Sequence, residues 1–209
     1  MSRGLLYLPL APGLASAAPR SGSHLGIGQA GPVTLRLFRQ APTRLAVVGA
    51  VEAAELLAIR AASVGATIVV MTRRDSMWGP AVGHSPDGHV VAPGPGATQS
   101  VTGQAVIVDD RPEEPRGTGE VGDWQCRLDV RTPRTGSDLA SLGNADAVLV
   151  GRMDAELAAA VPSIFAVAPA HPAHLTSLAE GVIAVLRRGA LDYVTLDPTP
   201  SEAALLRSS

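Results

Sequence analysis

The chain has 209 residues, 46% of them apolar and 17% charged, with a formal charge of −2. All 17 basic residues are arginines, which excludes a Schiff-base lysine, a P-loop lysine and a pyridoxal-phosphate anchor. A near-neutral charge with scattered arginines and 3% aromatics argues against nucleic-acid binding. The single cysteine, Cys126, excludes an intramolecular disulfide and a multi-cysteine metal site.

No apolar run reaches the roughly 18 residues needed to span a bilayer. Arg3 and the small residues Ala15-Ser16-Ala17 resemble a signal peptide, but Pro9 and Pro12 interrupt the apolar stretch. The competing expectation is a strand, Leu5 to Leu10, and a loose linker through Ser23. Residues 1–30 therefore read as an N-terminal strand with a flexible segment, and 31–209 as one α/β domain.

Val33, Leu35 and Leu37 alternate with Thr34 and Arg36 in a half-buried strand over Pro32 to Arg39. Arg44 to Gly49 is an apolar run that suits a strand covered on both faces. Val51 to Val64 carries Val51, Ala54, Leu57, Ala58 and Ala61 at helical spacing, with Glu52, Glu55 and Arg60 on the other side. Gly65 stops the helix and Thr67 to Met71 is the next strand. This β-α-β order predicts a parallel crossover of the Rossmann-like kind.

From Trp78 to Gly103, Gly and Pro are dense, which predicts loop apart from a short strand over His89 to Ala92. Strands follow at Ala105 to Val108 and Trp124 to Val130, with an exposed loop between. Ser137-Asp138 is expected to cap a short helix through Leu142. A strand over Ala147 to Val150 and a helix from Asp154 stopped by Pro162 come next. Gly181 to Leu186 and Leu191 to Leu196 read as a C-terminal β-hairpin around Gly189. Ser201 is expected to cap a last helix, Glu202 to Arg207. The expected fold is thus α/β, Rossmann-like, with a mainly parallel sheet flanked by helices.

The turn Val48-Gly49-Ala50-Val51-Glu52-Ala53-Ala54 is the best candidate for a phosphate loop. Gly49 and Ala54 fit the first and third small positions of a dinucleotide fingerprint; Val51 stands where the backbone must approach the pyrophosphate. Glu52 and Glu55 in the first turn stabilise the helix by about 0.3–1 kcal/mol each, but occupy the niche a phosphate would need. At an effective dielectric of about 20, the repulsion amounts to a few kcal/mol. No cofactor is therefore expected. Arg73 and Arg74, at the next strand end, could meet a 2′-phosphate, a partner protein or acidic lipid, or simply face solvent. Asp109-Asp110 could hold a divalent cation or open a loop. The five histidines lack metal-ligand spacing to any carboxylate. Cys126 is either a nucleophile or a small strand residue.

The segments Pro32–Phe38, Arg44–Trp78 and Gly189–Leu196, with Asp197-Pro-Thr after it, resemble the soluble domain of EccE, a component of the type VII (ESX) secretion complex of actinobacteria. The resemblance spans about residues 30–200. It implies a Rossmann-like domain without established catalysis that binds protein partners in a secretion complex. Members of that family carry N-terminal membrane helices. The absence of a long apolar run here points to a soluble paralogue, a peripheral subunit or a shortened relative. The expected location is cytoplasmic, at the inner face of the cell membrane through a partner. The alternative reading of the residues is a nucleotide- or nucleotide-sugar-dependent transferase with a degenerate loop, Asp109 and Asp110 on a metal and Arg73 or Arg74 on a phosphate.

Overall fold

A computed structural model of the chain describes residues 22–91, 101–111, 121–169 and 171–207. The expected strand at Leu5 to Leu10 and the signal-like segment lie outside these residues, as does most of the loop between Arg111 and Gly122.

Ten strands join in one mixed sheet, in the spatial order β2-β1-β10-β9-β8-β3-β7-β6-β4-β5. In chain order they are β1 (Ser23–Gly28), β2 (Gly31–Leu35), β3 (Thr43–Val48), β4 (Thr67–Thr72), β5 (His89–Val91), β6 (Ala105–Asp110), β7 (Gln125–Arg131), β8 (Ala147–Val150), β9 (Val182–Arg187) and β10 (Ala190–Leu196). From β8 to β5 every pairing is parallel; from β8 to β2 every pairing is antiparallel. The helices are α1 (Val51–Ser63), α2 (Asp75–His84), α3 (Gly136–Ala140), α4 (Ala155–Phe165) and α5 (Pro200–Leu206). Among the described residues no helix is long and apolar enough to cross a membrane.

The β3-α1-β4 unit is parallel, as expected, but β3 and β4 are not neighbours: β7 and β6 lie between them. A doubly wound Rossmann sheet places such strands side by side, so the architecture supports the broad α/β class rather than that strand order. The sheet begins at Ser23, ahead of residue 31. β1 pairs with both β2 and β10, and its two glycines in six residues hide it from a propensity reading.

Alternation along the strands divides the core. Leu45, Val47, Ile68, Val70, Val106, Val108, Cys126 and Leu128 face α1 and α2. Ala46, Val48, Val148, Val150, Ala184 and Leu186 face α3 and α4. α1 is not the half-exposed helix that its charges suggest. Residues Ala53 to Ile59 are all buried, Glu55 included at 6% exposure. The helix lies against the sheet, α2 and α5, and Arg60 ties its far end to β1 and α5. The Arg60 guanidinium donates to both Glu202 oxygens at 2.8 Å, to the His24 carbonyl at 2.6 Å and to the Asp197 carbonyl at 2.7 Å.

Three local expectations are corrected. α2 runs through Trp78, Gly79, Pro80 and Gly83, where loop was expected. Trp78 is fully buried and its indole Nε1 donates to Asp110 at 2.9 Å, so a tertiary contact outweighs poor helix propensity. α4 continues past Pro162 to Phe165, because Leu157, Val161 and Phe165 are buried together on the second face. α3 and α5 are capped by Thr135 and Thr199, each in a capping box with an acid three residues on, rather than by Ser137 and Ser201.

Candidate functional site

Open α/β sheets bind ligands outside the carboxyl ends of strands, where successive crossovers leave in opposite directions. That place in this sheet is between β3 and β8. From β3 the chain crosses by α1 toward β4; from β8 it leaves by α4 for the neighbouring antiparallel strand β9 on the other side. A cleft of about 380 Å³ opens there, lined by Gly49, Ala50, Glu52, Gly151, Arg152 and Glu180 among others.

Two backbones meet closely at its floor. Gly49 sits at φ +65°, a conformation side chains rarely adopt. The Gly151 amide donates to the Val48 carbonyl at 2.8 Å. A Cβ on Gly151 would stand 2.1 Å from the Gly49 carbonyl oxygen. Gly49 therefore shapes the junction of β3 and β8, a role that requires no phosphate. Arg152 donates to the Leu178 carbonyl at 3.0 Å, which ties one wall of the cleft to the other. Glu52 lines the mouth, whereas Glu55 turns into the protein, so one of the two first-turn acids borders the cleft.

Asp109 and Asp110 do not converge. They are consecutive in β6, and the pleat sends them to opposite faces. Asp110 shares the face of Val106 and Val108. Its carboxylate accepts from Thr72 Oγ1 at 2.8 Å, from Trp78 Nε1 and from Arg74, whose Nε and Nη2 both reach it. Arg74 is thereby committed to closing the end of β4 onto β6, and its own amide donates to Thr72 Oγ1 at 2.8 Å. Arg73, its neighbour, is exposed and also has a partner.

Asp109 lies on the other face among arginines. Arg111 Nε and Nη2 reach its two oxygens at 3.0 and 3.1 Å, Arg127 Nη2 at 2.7 Å and Arg131 Nη2 at 3.3 Å. Asp129, one strand over, accepts from Arg127 and Arg131 at 2.8 and 3.1 Å. Burial works against the charged form of Asp109, but the bond from Arg111 and the charges of Arg131, Arg111 and Arg127 outweigh it. They hold the carboxyl below the ordinary range. Strand alternation at Arg127, Asp129 and Arg131 is the signal in the sequence that places these side chains on one face.

Among the described residues no group of three or more His, Cys, Asp or Glu side chains is placed to hold a metal. Cys126 is fully buried against α1's side of the sheet, and burial pushes its thiol well above the ordinary value, with Asp146 adding to the shift. Such a thiol is a poor nucleophile at neutral pH. Neither a protein-family model, nor a curated protein, nor a solved structure matches this chain.

Proposed function

We propose that this chain works by binding other proteins, without chemistry of its own, as a component or accessory of a type VII secretion system. The engagement of the charged candidates carries the non-catalytic half of this reading. Arg74 and Asp110 close one side of the sheet, and Asp109 is enclosed by three arginines on the other. A divalent cation would have to displace guanidinium groups from buried carboxylates, and the two carboxylates point apart. The resemblance of residues 30–200 to the EccE soluble domain carries the secretion half. A Rossmann-like relationship belongs to the same proposal, resting on the β-α-β unit and the helices on both faces.

Affinity purification of the tagged protein from native membranes should recover type VII secretion subunits. Recovery of none from cells that make such a system overturns the assignment.

The position of the cleft at Gly49 and Gly151 favours one rival, a nucleotide or nucleotide-sugar enzyme. A thermal-shift panel of nucleotides with and without manganese separates the two. A bound ligand at 100 times its dissociation constant stabilises by about 2.7 kcal/mol, so a flat panel leaves the non-catalytic reading standing and a clear rise removes it.

A further inference from the structure

We propose that the chain's own apolar run Leu5-Leu-Tyr-Leu-Pro-Leu10 seats in a groove between the exit of β2 and the last turn of α1. There it competes with any other molecule for that surface. This goes beyond the protein-binding reading and does not depend on it.

The groove has a volume of about 470 Å³, and Gly22, Leu37, Phe38, Arg60, Ser63 and Val64 are among its walls. That volume is within the roughly 300–1,000 Å³ of pockets that enclose a largely apolar ligand. Leu37 belongs to the core beneath. Val64, the C-cap of α1, is 68% exposed, the most exposed large apolar side chain among the described residues. The charged side chains of the groove already have partners. Arg60 holds Glu202 and two carbonyls, His24 Nε2 lies 3.5 Å from Asp197 Oδ2, and Arg36 is engaged as well. Ser63 Oγ donates to the Ile59 carbonyl at 2.9 Å. Apolar contact is what the groove has left to offer an occupant.

The chain carries such an occupant, tethered at the lip. β1 begins one residue after Gly22, and its first pair is Ser23 with Leu35. A Cβ on Gly22 would stand 2.9 Å from the Leu35 carbonyl oxygen. Residues 1–21 therefore depart from the wall of the groove itself. Leu10 is twelve positions before Gly22, a span of up to about 40 Å when extended, so the tether is long enough to return any of these side chains to the groove. Apart from Met1, every Leu, Ile, Val, Met, Phe, Tyr and Trp outside the described residues lies between Leu5 and Leu14. Their removal from water is favourable in proportion to the area covered. Charge agrees with the match: residues 1–21 include Arg3 and Arg20 and no acid, and the Asp197 side chain beside His24 is 61% exposed.

Ala11→Cys combined with Val64→Cys tests the proposal in the full chain, because Cys126 is buried and stays out of the reaction. Brief oxidation should close an intrachain disulfide, read by mass spectrometry of a digest. The same cysteine pair in the variant L5S/L6S/L8S/L10S, whose changes touch none of the described residues, should oxidise about tenfold more slowly. It should still oxidise, because an undocked tether supplies an effective concentration near millimolar. Equal rates in the two backgrounds overturn the proposal. So does a disulfide that joins labelled to unlabelled chains in an isotope mixture, which would assign the groove to a second copy. A fluorescent peptide of residues 1–13 gives a readout without engineered cysteines. It should bind L5S/L6S/L8S/L10S about tenfold more tightly than wild type, whose groove is already filled, and Val64→Asp added to that variant should abolish the gain. Peptide binding that is absent from both proteins, equal in both or indifferent to Val64→Asp overturns the assignment.

Discussion

Asp109 and Asp110 are joined by one peptide bond, have the same side chain and are almost equally buried, yet they answer to different surroundings. Asp110 faces the helical side, where Trp78 and Thr72 supply neutral donors and one half-exposed arginine supplies charge. Asp109 faces the side where three arginines crowd in, two of them nearly as buried as it is. A carboxylate whose cation can leave for water is replaceable; one whose cations are trapped is not. The parity of the strand decides which aspartate takes which role.

The largest effect follows from that asymmetry. Asp109→Asn removes the charge that three guanidinium groups share and leaves Asp129 alone to balance them. Breaking a buried ion pair from one side costs about 3–5 kcal/mol, so urea unfolding should show a midpoint lowered accordingly, with little change in slope. A variant within 1 kcal/mol of the parent would mean that the arginines find other partners, and the contrast between the faces would dissolve.

The next effect concerns pH, where the two kinds of buried acid have opposite signs. Bonds from Arg60, working against burial, hold Glu202 down at about 2, and Asp109 is also held low. Their contributions are complete above the ordinary carboxylate range and fade as pH falls through their folded values. Glu55 is raised to about 7 from 4.5. Its folded form prefers the proton, so stability falls as pH rises from about 4.5 to 7 and the loss is complete above that. At about 1.36 kcal/mol per unit, Glu55→Gln should gain up to roughly 3 kcal/mol over wild type at pH 8 and nothing at pH 4. Thermal unfolding at the two pH values checks it. Equal differences at both would show that Glu55 titrates normally.

The strands of the parallel half were legible because buried runs such as Leu45 to Val48 and Ala105 to Val108 have one reading. The α1 helix was legible for its period and misread for its exposure. Period reports that Glu52 and Glu55 fall outside the apolar stripe, but not that a second helix covers that side. The helix that covers it was hidden in turn by Gly79, Pro80 and Gly83, since what holds α2 is the bond from Trp78 to an aspartate 32 positions away. The separation of the two candidate aspartates was hidden for a related reason. Asp109-Asp110 is a pair in sequence and not in space, a fact that strand alternation already contains once β6 is extended by two residues past Val108. Nothing in local pattern gives the strand order, because the separation of β3 from β4 depends on where β6 and β7 insert.

The smallest effect tests the tolerant face. Asp110→Asn keeps an oxygen for the Trp78 and Thr72 donors and loses the charge that holds Arg74. Arg74 already has 46% of its side chain in solvent, so its guanidinium can hydrate instead of remaining buried and unpaired. The loss should approach that of one charge-assisted hydrogen bond, about 1–2 kcal/mol, well below the Asp109 value. Trp78 should stay buried, with its fluorescence maximum unchanged in the folded baseline. If Asp110→Asn instead costs as much as Asp109→Asn, then Arg74 is what fixes α2 to the sheet, and exposure is a poor guide to which of these arginines matters.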